Sequence, residues 1–509
     1  MALGGDLPDL IARRADLTPD AVALEEAAGG RVLSYAELDR RAGCAASVLA
    51  DRGVGEGDRV AILCRNRIAF WELLFACAKL GAILVPLNWR MPPAELAALV
   101  ADCSPVLLVC GGEDERAASA LPVPPLRLDG EYEALLARAE PLVGRTEWPG
   151  GGIWYLLYTS GTTGRPKGVI YTYRMALANH VNIAAATGLT ASDTTLNFLP
   201  HFHTAGINLH SLPTLFAGGR VLILPGFEAE AVIGLIEAGE VDAFFAVPTV
   251  YHALVEHPRF GAAVLAGRVR HWGCGGAPLS EGVLAAARGA GVALCNGMGM
   301  TETGPTMFLQ HPSDCLDRPG SVGKPQLLCR ARIVDEALRD VPRGEVGELL
   351  FAGPGITPGY WMNAEATRTA FTADGWLRSG DLGRQDEAGF FYVAGRRKEM
   401  FISGGENVYP AEVENVLAAH PAIIEAAVVG APDARWGEVG RAFVQVADGA
   451  AAPDAAQLDA FCRARLAAYK VPRSFAVVAD FPRTAAGKVQ KHLLPLAEQA
   501  EEERLAPAR

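Results

Sequence analysis

The sequence lacks both a closely spaced pair of cysteines and an uninterrupted apolar run long enough to cross a bilayer. Its ten cysteines are scattered singly, without a C-x-x-C pair, which argues against a zinc site and a disulfide framework. The most hydrophobic run, Leu73–Leu87, is broken by Lys79 and Gly81, and we interpret it as a helix end, a glycine stop and a buried strand. No basic segment followed by an apolar one opens the chain, so no signal peptide is expected. These absences favour a cytoplasmic protein with reduced thiols.

An excess of positive charge is also missing. The 46 lysines and arginines are outnumbered by 58 aspartates and glutamates, which gives a formal net charge of −12 at pH 7. Because such a chain has no general attraction for polyanions, neither nucleic acid nor an anionic membrane is an expected partner. The chain has 509 residues, of which 50% are hydrophobic, so we expect a globular enzyme of two or more domains. We predict that it acts as a monomer or a homodimer.

Strand-like and helix-like patterns alternate along most of the chain. Ser34 and Glu37 have the spacing of a capping box and open an amphipathic helix that runs to about Ala50. Strands alternating with helices predict mostly parallel sheets covered on both faces, so the fold class is α/β. Around residues 343–351 short β-rich pieces with glycine and proline predict a small β-subdomain. The apolar runs interpreted as strands are Val60–Cys64, Ile83–Val85, Val106–Cys110, Ile153–Leu157, Val221–Leu224 and Ala243–Val247.

One stretch, YTSGTTGRPKGV at residues 158–169, combines glycines, hydroxyl side chains and a lysine. Glycines allow backbone N–H groups to turn toward an anion, and hydroxyls donate hydrogen bonds to phosphate oxygens. The G-x-x-x-x-G-K-[ST] spacing is absent, so a P-loop fold does not follow. The combination disfavours the alternative of an ordinary turn. We therefore predict a polyphosphate site formed by Thr159, Ser160, Gly161, Thr162, Thr163, Gly164 and Lys167.

This stretch closely resembles the signature loop of the acyl-adenylate-forming superfamily, which includes acyl-CoA synthetases, adenylation domains of peptide synthetases and firefly-type luciferases. The order of the further motifs covers nearly the whole chain and is more specific than any single match. The resemblance implies a large N-terminal domain of αβ-layered sheets plus a β-subdomain, residues 1–397, and a small mobile C-terminal α+β lid, residues 398–509, with the hinge at Lys398. The other motifs are GGAP at 275–278, NGMGMTE at 296–302, RSGD at 378–381, GGENVYP at 404–410 and PRTAAGK at 482–488.

The resemblance also implies the nucleotide contacts. The loop would wrap the β- and γ-phosphates of ATP, Thr301 would contact the α-phosphate, and Glu302 would hold Mg²⁺, which prefers carboxylate and phosphate oxygens. Asp381 would accept hydrogen bonds from the ribose hydroxyls, and Arg396 would contact the ribose and a phosphate. For Glu302 taken alone, the alternative is a solvated acid at a helix start. The turn and the adenine wall would be formed by Gly276, Ala277, Pro278, Met298 and Gly299. For the glycines of the GGAP motif, the alternative is a tight turn that binds no ligand.

Met298 departs from the family pattern, which usually has a tyrosine packed on adenine at this position. A thioether can still lie against a ring, so adenine binding is expected to survive the change.

Lys488 resembles the lysine that performs adenylation. A carboxylate that attacks the α-phosphorus brings two anions together, so an ammonium group between them stabilises the transition state selectively. Nearby Lys491 is interpreted as a solvated helix residue. The resemblance also implies that His203 contacts or gates the substrate carboxylate, with a purely structural histidine as the alternative. His201 is assigned to local packing.

The resemblance further implies that Gly404, Gly405 and Glu406 border the thiol channel after the lid has rotated, so that one pocket serves two half-reactions. A Trp-Gly-Glu element at 436–438 matches the family and receives no catalytic role.

The implied activity is that of an ATP-dependent acid–thiol ligase that uses Mg²⁺, with coenzyme A as co-substrate. A carboxylic acid and ATP give acyl-AMP and pyrophosphate, and coenzyme A then displaces AMP. Four alternatives remain. A stand-alone enzyme could load a carrier protein, and a luciferase-like oxygenase shares these motifs. A peptide-synthetase domain would place an aspartate near His203 and a carrier domain after Lys488, and neither is seen. An inert nucleotide-binding protein would be expected to have lost some of these residues.

The identity of the acid is constrained by two stretches. Residues 203–209 and 244–251, which include Phe244, Phe245 and Val247, offer an apolar wall and no evident cation for a second carboxylate. We therefore predict a hydrophobic monocarboxylic acid, fatty or aromatic, rather than a dicarboxylate such as malonate.

Overall fold

The chain is described by a computed structural model that covers residues 5–27, 29–159, 166–276, 279, 281–404, 406–433, 435–447, 449–483 and 489–494. Four groups of predicted site residues are affected by these limits: the phosphate loop, the adenine wall, the thiol channel and the adenylation lysine. Outside the described residues lie Ser160, Gly161, Thr162, Thr163, Gly164, Ala277, Pro278, Gly405 and Lys488.

The strands are numbered in chain order. They are β1 (Leu7–Pro8), β2 (Val22–Glu26), β3 (Val32–Ser34), β4 (Arg59–Leu63), β5 (Ile83–Pro86), β6 (Leu107–Cys110), β7 (Pro125–Arg127), β8 (Glu147–Trp148), β9 (Ile153–Thr159), β10 (Lys167–Thr172), β11 (Thr194–Asn197), β12 (Arg220–Ile223), β13 (Ala243–Ala246), β14 (His271–Gly275), β15 (Leu294–Gly299), β16 (Thr306–Leu309), β17 (Lys324–Pro325), β18 (Arg330–Val334), β19 (Gly347–Ala352), β20 (Leu377–Gln385), β21 (Phe391–Arg396), β22 (Phe401–Ser403), β23 (Glu406–Val408), β24 (Ile423–Asp433), β25 (Gly437–Val446) and β26 (Ser474–Val478).

The α-helices are numbered in the same way. They are α1 (Leu10–Leu17), α2 (Tyr35–Ala50), α3 (Ile68–Leu80), α4 (Pro93–Cys103), α5 (Glu115–Ala118), α6 (Glu133–Leu136), α7 (Tyr173–Thr187), α8 (Ser211–Ala217), α9 (Ala229–Glu237), α10 (Pro248–Val255), α11 (Phe260–Ala266), α12 (Glu281–Gly289), α13 (Ala364–Ala370), α14 (Pro410–Ala418) and α15 (Ala455–Arg463).

The chain forms two compact units. The first comprises residues 1–276, 290–331 and 351–378, and the second comprises residues 277–289, 332–350 and 379–509. Each unit is held together by its own internal packing, whereas the predicted hinge concerns a rotation of residues 398–509 as a lid. The division into residues 1–397 and 398–509 therefore stays a prediction.

The first unit is built on two large sheets. One has the strand order β10-β9-β5-β4-β6-β7, and the other has the order β17-β16-β15-β14-β13-β11-β12-β2-β3. The neighbours from β9 to β7 and from β15 to β2 are parallel, and antiparallel pairs occur at the edges. The predicted α/β class with mostly parallel sheets is confirmed.

Both faces of the six-stranded sheet are covered. Val60 and Ile62 of β4 enter one apolar cluster with α2 and α3, whereas Ala61 and Leu63 enter another with α4. Because successive side chains of a strand point to opposite faces, this division shows that β4 is buried on both sides. The predicted capping box is also present, since the Ser34 hydroxyl accepts from the Glu37 N–H and the Glu37 carboxylate accepts from the Ser34 N–H.

The apolar run that is too short to span a membrane folds as expected. Helix α3 ends at Gly81, whose φ of 70° lies in the left-handed region, and β5 follows as a buried strand. Among the described residues, no helix combines the length and the apolar character needed to cross a membrane. None of the ten cysteines, all of which lie among the described residues, forms a disulfide bond.

The second unit contains a sheet with strands β22 to β26, packed on α14 and α15. Strands β24 and β25 alternate between two apolar clusters, so this sheet is covered on both faces as well. Strands β18, β19, β20 and β21 form a separate four-stranded sheet, which matches the β-subdomain predicted from residues 343–351.

Candidate active site

The predicted phosphate loop is carried by a β-hairpin. Strands β9 and β10 pair antiparallel. Thr159 lies opposite Lys167, and these two residues are the last pair before the connecting loop. The Thr159 hydroxyl donates to the Lys167 carbonyl oxygen at 3.5 Å. Below this pair, the rings of Tyr155 and Tyr171 stack with their centroids 4.7 Å apart. The hairpin therefore fixes both flanks of the loop.

Lys167 and Glu302 both contact the side chain of Tyr360, a residue that the sequence did not single out. The Lys167 ammonium lies 5.2 Å from the centroid of the Tyr360 ring, a cation–π distance. The Tyr360 hydroxyl donates to the Glu302 Oε1 at 2.9 Å. Burial, with the neighbouring Glu302 as a further cause, raises the pKa of Tyr360 above its usual value, so the phenol stays protonated as a donor. The predicted phosphate lysine and the predicted metal ligand thus share one partner.

Glu302 is positioned by a sharp turn after β15. A Cβ on Gly299 would lie 1.6 Å from the Pro305 carbonyl oxygen, so only glycine permits this approach of the two chain segments. Thr301 then starts a 3₁₀ turn, and its carbonyl oxygen accepts from the Tyr171 hydroxyl at 2.6 Å. The buried Glu302 is anchored further by its carbonyl oxygen, which accepts from the Thr357 N–H at 2.9 Å.

The arrangement fits Mg²⁺ held together with a polyphosphate. Within the described ranges, no group of three or more histidines, cysteines or carboxylates forms a metal cage made by the protein alone. Mg²⁺ is commonly bound by one or two carboxylates, while substrate phosphates and water complete the coordination. Glu302 is such a single carboxylate, and Lys167 supplies positive charge next to the Tyr360 ring. These residues would hold the ion as its nucleotide complex.

The segment that contains His203 is joined to the same cluster. The Tyr171 and Thr204 hydroxyls lie 2.6 Å apart, and the Asn208 amide donates to the Thr204 hydroxyl at 3.2 Å. The His203 Nδ1 accepts from the Ala205 N–H at 3.2 Å, so a neutral ring carries its proton on Nε2. His203 therefore has the tautomer of a donor, which suits contact with a carboxylate.

His201 is a packing residue, as expected. Its ring is buried against Phe70 and Trp71, with centroid distances of 4.5 Å and 5.3 Å, and its Nε2 accepts from the Asn197 amide at 3.0 Å. Burial lowers the pKa of His201 to about 3, so the ring is neutral.

The predicted adenine wall lies at the carboxyl ends of two neighbouring strands. Met298 is half-buried in β15, and Gly276, which follows β14, has a φ of +91° that a side chain rarely tolerates. Ligands of open α/β sheets bind at these strand ends. Of the predicted wall, the structure thus places Gly276, Met298 and Gly299 on adjacent strand ends.

Asp381 and Arg396 come together in the second unit. They lie opposite each other on β20 and β21, and the Arg396 Nε is 2.7 Å from the Asp381 Oδ1. Asp381 is buried, and its N–H donates to the Ser379 hydroxyl at 2.9 Å. The two residues expected to bind one ribose are thus already paired, and their nucleotide contacts stay predictions.

The proposed hinge and the thiol-channel loop follow shortly after this pair. Lys398 lies in an exposed turn between β21 and β22. Gly404 has a φ of +62°, and a Cβ there would lie 2.7 Å from the Trp436 ring. The Glu438 carboxylate accepts from the Ile402 N–H at 3.1 Å. The Trp-Gly-Glu element, which received no role from the sequence, therefore supports the loop that contains Gly404 and Glu406.

The interpretation of Lys491 as a solvated residue is wrong. Its ammonium lies 2.8 Å from the Glu399 carboxylate and 2.7 Å from the Glu414 carboxylate, and its side chain is only 19% exposed. Burial raises the pKa of Glu414 despite the nearby ammonium, which shows how strongly this site is desolvated. Lys491 thus joins the turn after the proposed hinge to α14.

Two family models together match most of this chain. The AMP-binding enzyme family model matches residues 11–361, and the model of the AMP-binding enzyme C-terminal domain matches residues 412–488. The chain therefore belongs to the AMP-binding enzyme family, and the resemblance found from the motifs is confirmed.

Relatives with named activities match over nearly their full lengths. Over 481 residues the chain is 40% identical to a feruloyl-CoA synthase from Amycolatopsis sp, with 94% of this chain and 96% of the relative covered. An indoleacetate–CoA ligase from Aromatoleum aromaticum is 38% identical over 498 residues, with 96% and 97% covered. The o-succinylbenzoate CoA synthetase (MenE) from Bacillus subtilis, solved with the acyl-adenylate intermediate OSB-AMP, has a TM-score of 0.87 at 32% identity, with 96% of this chain and 98% of that chain covered.

Replacing Tyr360 with phenylalanine tests its link to Glu302. The Tyr360→Phe variant keeps the ring beside Lys167 but removes the hydroxyl that orients the carboxylate. We expect the half-saturating concentration of Mg·ATP in pyrophosphate release to rise about ten-fold, the effect of losing one hydrogen bond to a charged group. Tyr392→Phe is the matched control, because that hydroxyl also meets a carboxylate, Asp386, at 3.2 Å. Equal Mg·ATP dependence in both variants would remove Tyr360 from the site.

Replacing Lys491 with methionine tests the buried ion pairs. Lys491→Met leaves Glu399 and Glu414 without their cation, and we expect it to lower the free energy of unfolding by about 3 kcal/mol. Urea denaturation measures this change. In the control Arg463→Met, the lost partner is the exposed Asp459, and a loss of at most about 0.5 kcal/mol is expected. Similar losses in the two variants would contradict the importance of burial.

Proposed function

We propose that this chain is an ATP-dependent ligase that joins an aromatic monocarboxylic acid to coenzyme A. In the first step a carboxylate oxygen attacks the α-phosphorus of ATP, the bond to the bridging oxygen breaks, and pyrophosphate leaves. In the second step the coenzyme A thiol loses its proton, its sulfur attacks the acyl carbon, and AMP leaves. Bound Mg²⁺ would lower the negative charge on the departing pyrophosphate.

The observation that carries the proposal is the connection of Lys167, Tyr360 and Glu302 in a chain that belongs to the AMP-binding enzymes. A phosphate-binding lysine and a buried carboxylate on one hydrogen-bonded tyrosine suit a Mg·ATP complex. Next to them, Tyr171 joins Thr301 to Thr204, which follows His203. This arrangement supports a carboxylate site next to the α-phosphate, where proximity accelerates the attack.

The preference for an aromatic acid is supported by the names of two relatives, which act on ferulate and indoleacetate. Both are aromatic monocarboxylic acids. The wall expected from residues 244–251 is only partly available, because Phe244 packs against Tyr251 and Trp272 on the far face of β13. Phe245 lies on the other face, where its own ring covers Gly273 and Gly275.

Several further assignments remain part of the proposal. Lys488 acts in adenylation, the lid turns about Lys398, and Gly404, Gly405 and Glu406 border the thiol channel. The enzyme is monomeric or homodimeric and works in the cytoplasm. The pairing of Asp381 with Arg396 supports a common ribose site, because the guanidinium holds the carboxylate in place.

The proposed function is tested by measuring thioester formation across a panel of acids. Purified protein with Mg²⁺, ATP and coenzyme A is given cinnamic, benzoic, indoleacetic, medium-chain fatty and malonic acids, and products are resolved by mass spectrometry. We expect aryl-CoA products that depend on all three additions, and no malonyl-CoA. Fatty acyl-CoA as the dominant product would contradict the aromatic preference. Acyl-AMP without any thioester would favour transfer to a carrier protein, and no acyl-AMP with any acid would indicate an inert nucleotide binder.

The role of Lys488 can be separated by half-reaction. Lys488→Ala is expected to slow formation of acyl-AMP by roughly 100-fold, because one charge that stabilises the transition state is removed. Thioester formation from preformed acyl-AMP should be largely spared. Lys488→Arg, which keeps the charge, is the control and should lose less. An equal loss in both half-reactions would remove Lys488 from the adenylation step.

A further inference from the structure

Two histidines beside Phe245 are buried without the hydrogen bonds that buried polar groups normally make. His210 precedes α8 and His271 opens β14, and their exposed fractions are 5% and 2%. Among the described residues, both ring nitrogens of His271 and the Nδ1 of His210 have no hydrogen-bond partner. His271 is the more unusual of the two, because His201 and His180 each have one partnered ring nitrogen, although the His201 Nδ1 is unpaired as well. Unpaired buried polar atoms in native structures call for an explanation.

The two histidine rings lie near Phe245, on the face of the sheet to which Gly273 and Gly275 belong. Side chains alternate along β14, so His271 lies on the same face as Gly273 and Gly275. A Cβ on Gly273 would lie 2.7 Å from the Phe245 ring and 3.3 Å from the His271 Cε1. The His210 ring centroid is 6.1 Å from that of Phe245 and 6.2 Å from that of His271.

The distance of His271 from the carboxyl end of β14 suits the end of a substrate that is opposite its carboxylate. Gly275 is next to Gly276, which is assigned to the turn at the adenine wall. His271 is four residues earlier on the strand, which corresponds to about 13 Å. An aromatic acid whose carboxylate lies near the strand ends and whose ring lies against Phe245 would bring its distal substituent toward the histidines.

The charge state of the rings limits what they can bind. Burial lowers the pKa of His210 to about 3 and that of His271 to about 4, with the adjacent Arg270 as a further cause. Both rings are therefore neutral at neutral pH. A neutral imidazole has one N–H donor and one acceptor nitrogen, which matches a hydroxyl group and does not neutralise a second carboxylate.

We propose that His210 and His271 form the distal end of the acyl pocket and bind a phenolic hydroxyl of the substrate. The inference rests on the proposed aromatic-acid ligase and makes its substrate class narrower: aromatic acids with a hydroxyl at the end opposite the carboxylate. The hydroxyl donates to one unpaired ring nitrogen and accepts from the N–H of another. An acid without the hydroxyl leaves these nitrogens unpaired, which is the basis of discrimination.

The test compares 4-hydroxycinnamate with cinnamate in the wild type and in His271→Leu. Two quantities are measured for each acid: kcat/KM for thioester formation, and the Kd from calorimetry without ATP. The wild type should prefer the hydroxylated acid by at least about ten-fold in both. In His271→Leu this preference should fall to about one, because binding of cinnamate is kept while the hydroxyl loses its partner. 4-Carboxycinnamate should be rejected by the wild type, since two neutral rings do not neutralise the second carboxylate.

Controls separate this role from a purely structural one. His180→Leu also removes a buried imidazole, bonded to the Pro213 carbonyl oxygen at 3.0 Å, and should leave the preference unchanged. His210→Leu should reduce the preference as His271→Leu does, and His271→Asn, which restores a donor and an acceptor, should recover part of it. If His271→Leu fails to fold, His210→Leu and His271→Asn still test whether the histidines bind the hydroxyl.

The outcomes distinguish the two proposals. A wild type without preference for the hydroxyl, or the same preference in His271→Leu, His210→Leu and His180→Leu, would overturn the distal site while aryl-CoA formation still supports the ligase. A hydroxyl preference in Kd without any thioester formation would support the distal site and contradict the proposed function.

Discussion

The organisation of the candidate site depends on the burial of one carboxylate, that of Glu302. An ionised carboxylate that is removed from water must be held by hydrogen bonds or by a cation. Here the Tyr360 hydroxyl donates to it, and the ammonium of Lys167 lies beside the same tyrosine ring. The close approach of Gly299 to Pro305 fixes the turn from which Glu302 extends. A site arranged in this way is prepared for a divalent cation that arrives with a polyphosphate.

A chain of hydroxyl groups joins this carboxylate to the acyl side of the site. Tyr171 donates to the Thr301 carbonyl oxygen and lies within hydrogen-bond distance of Thr204, which Asn208 also contacts. Burial keeps the pKa of Tyr171 far above neutral, so the phenol remains a donor. Such a network holds the segment around His203 in a fixed relation to the turn that carries Glu302. In the proposed function, this rigidity would position the acid relative to the nucleotide.

The sequence predicted local structure well where neighbouring residues decide it. The capping box of Ser34 and Glu37 and the glycine stop at Gly81 both depend on contacts within a few residues, and both are present. It failed for Lys491, because the burial of that lysine depends on Glu399 and on Glu414 of α14, which are distant in sequence. Tyr360 was missed for the same reason, since no spacing relates it to Lys167 or Glu302.

By itself the sequence determined the α/β alternation, the order of the motifs and therefore the family and its adenylating chemistry, because these are written in short segments of fixed spacing. Only the tertiary structure decided which distant side chains meet. It placed Phe245 rather than Phe244 on the glycine face of the sheet, gave Glu302 its tyrosine, and brought His210 to His271. The reason is physical: strand order and strand face arise from packing of the whole sheet, and no local pattern encodes them.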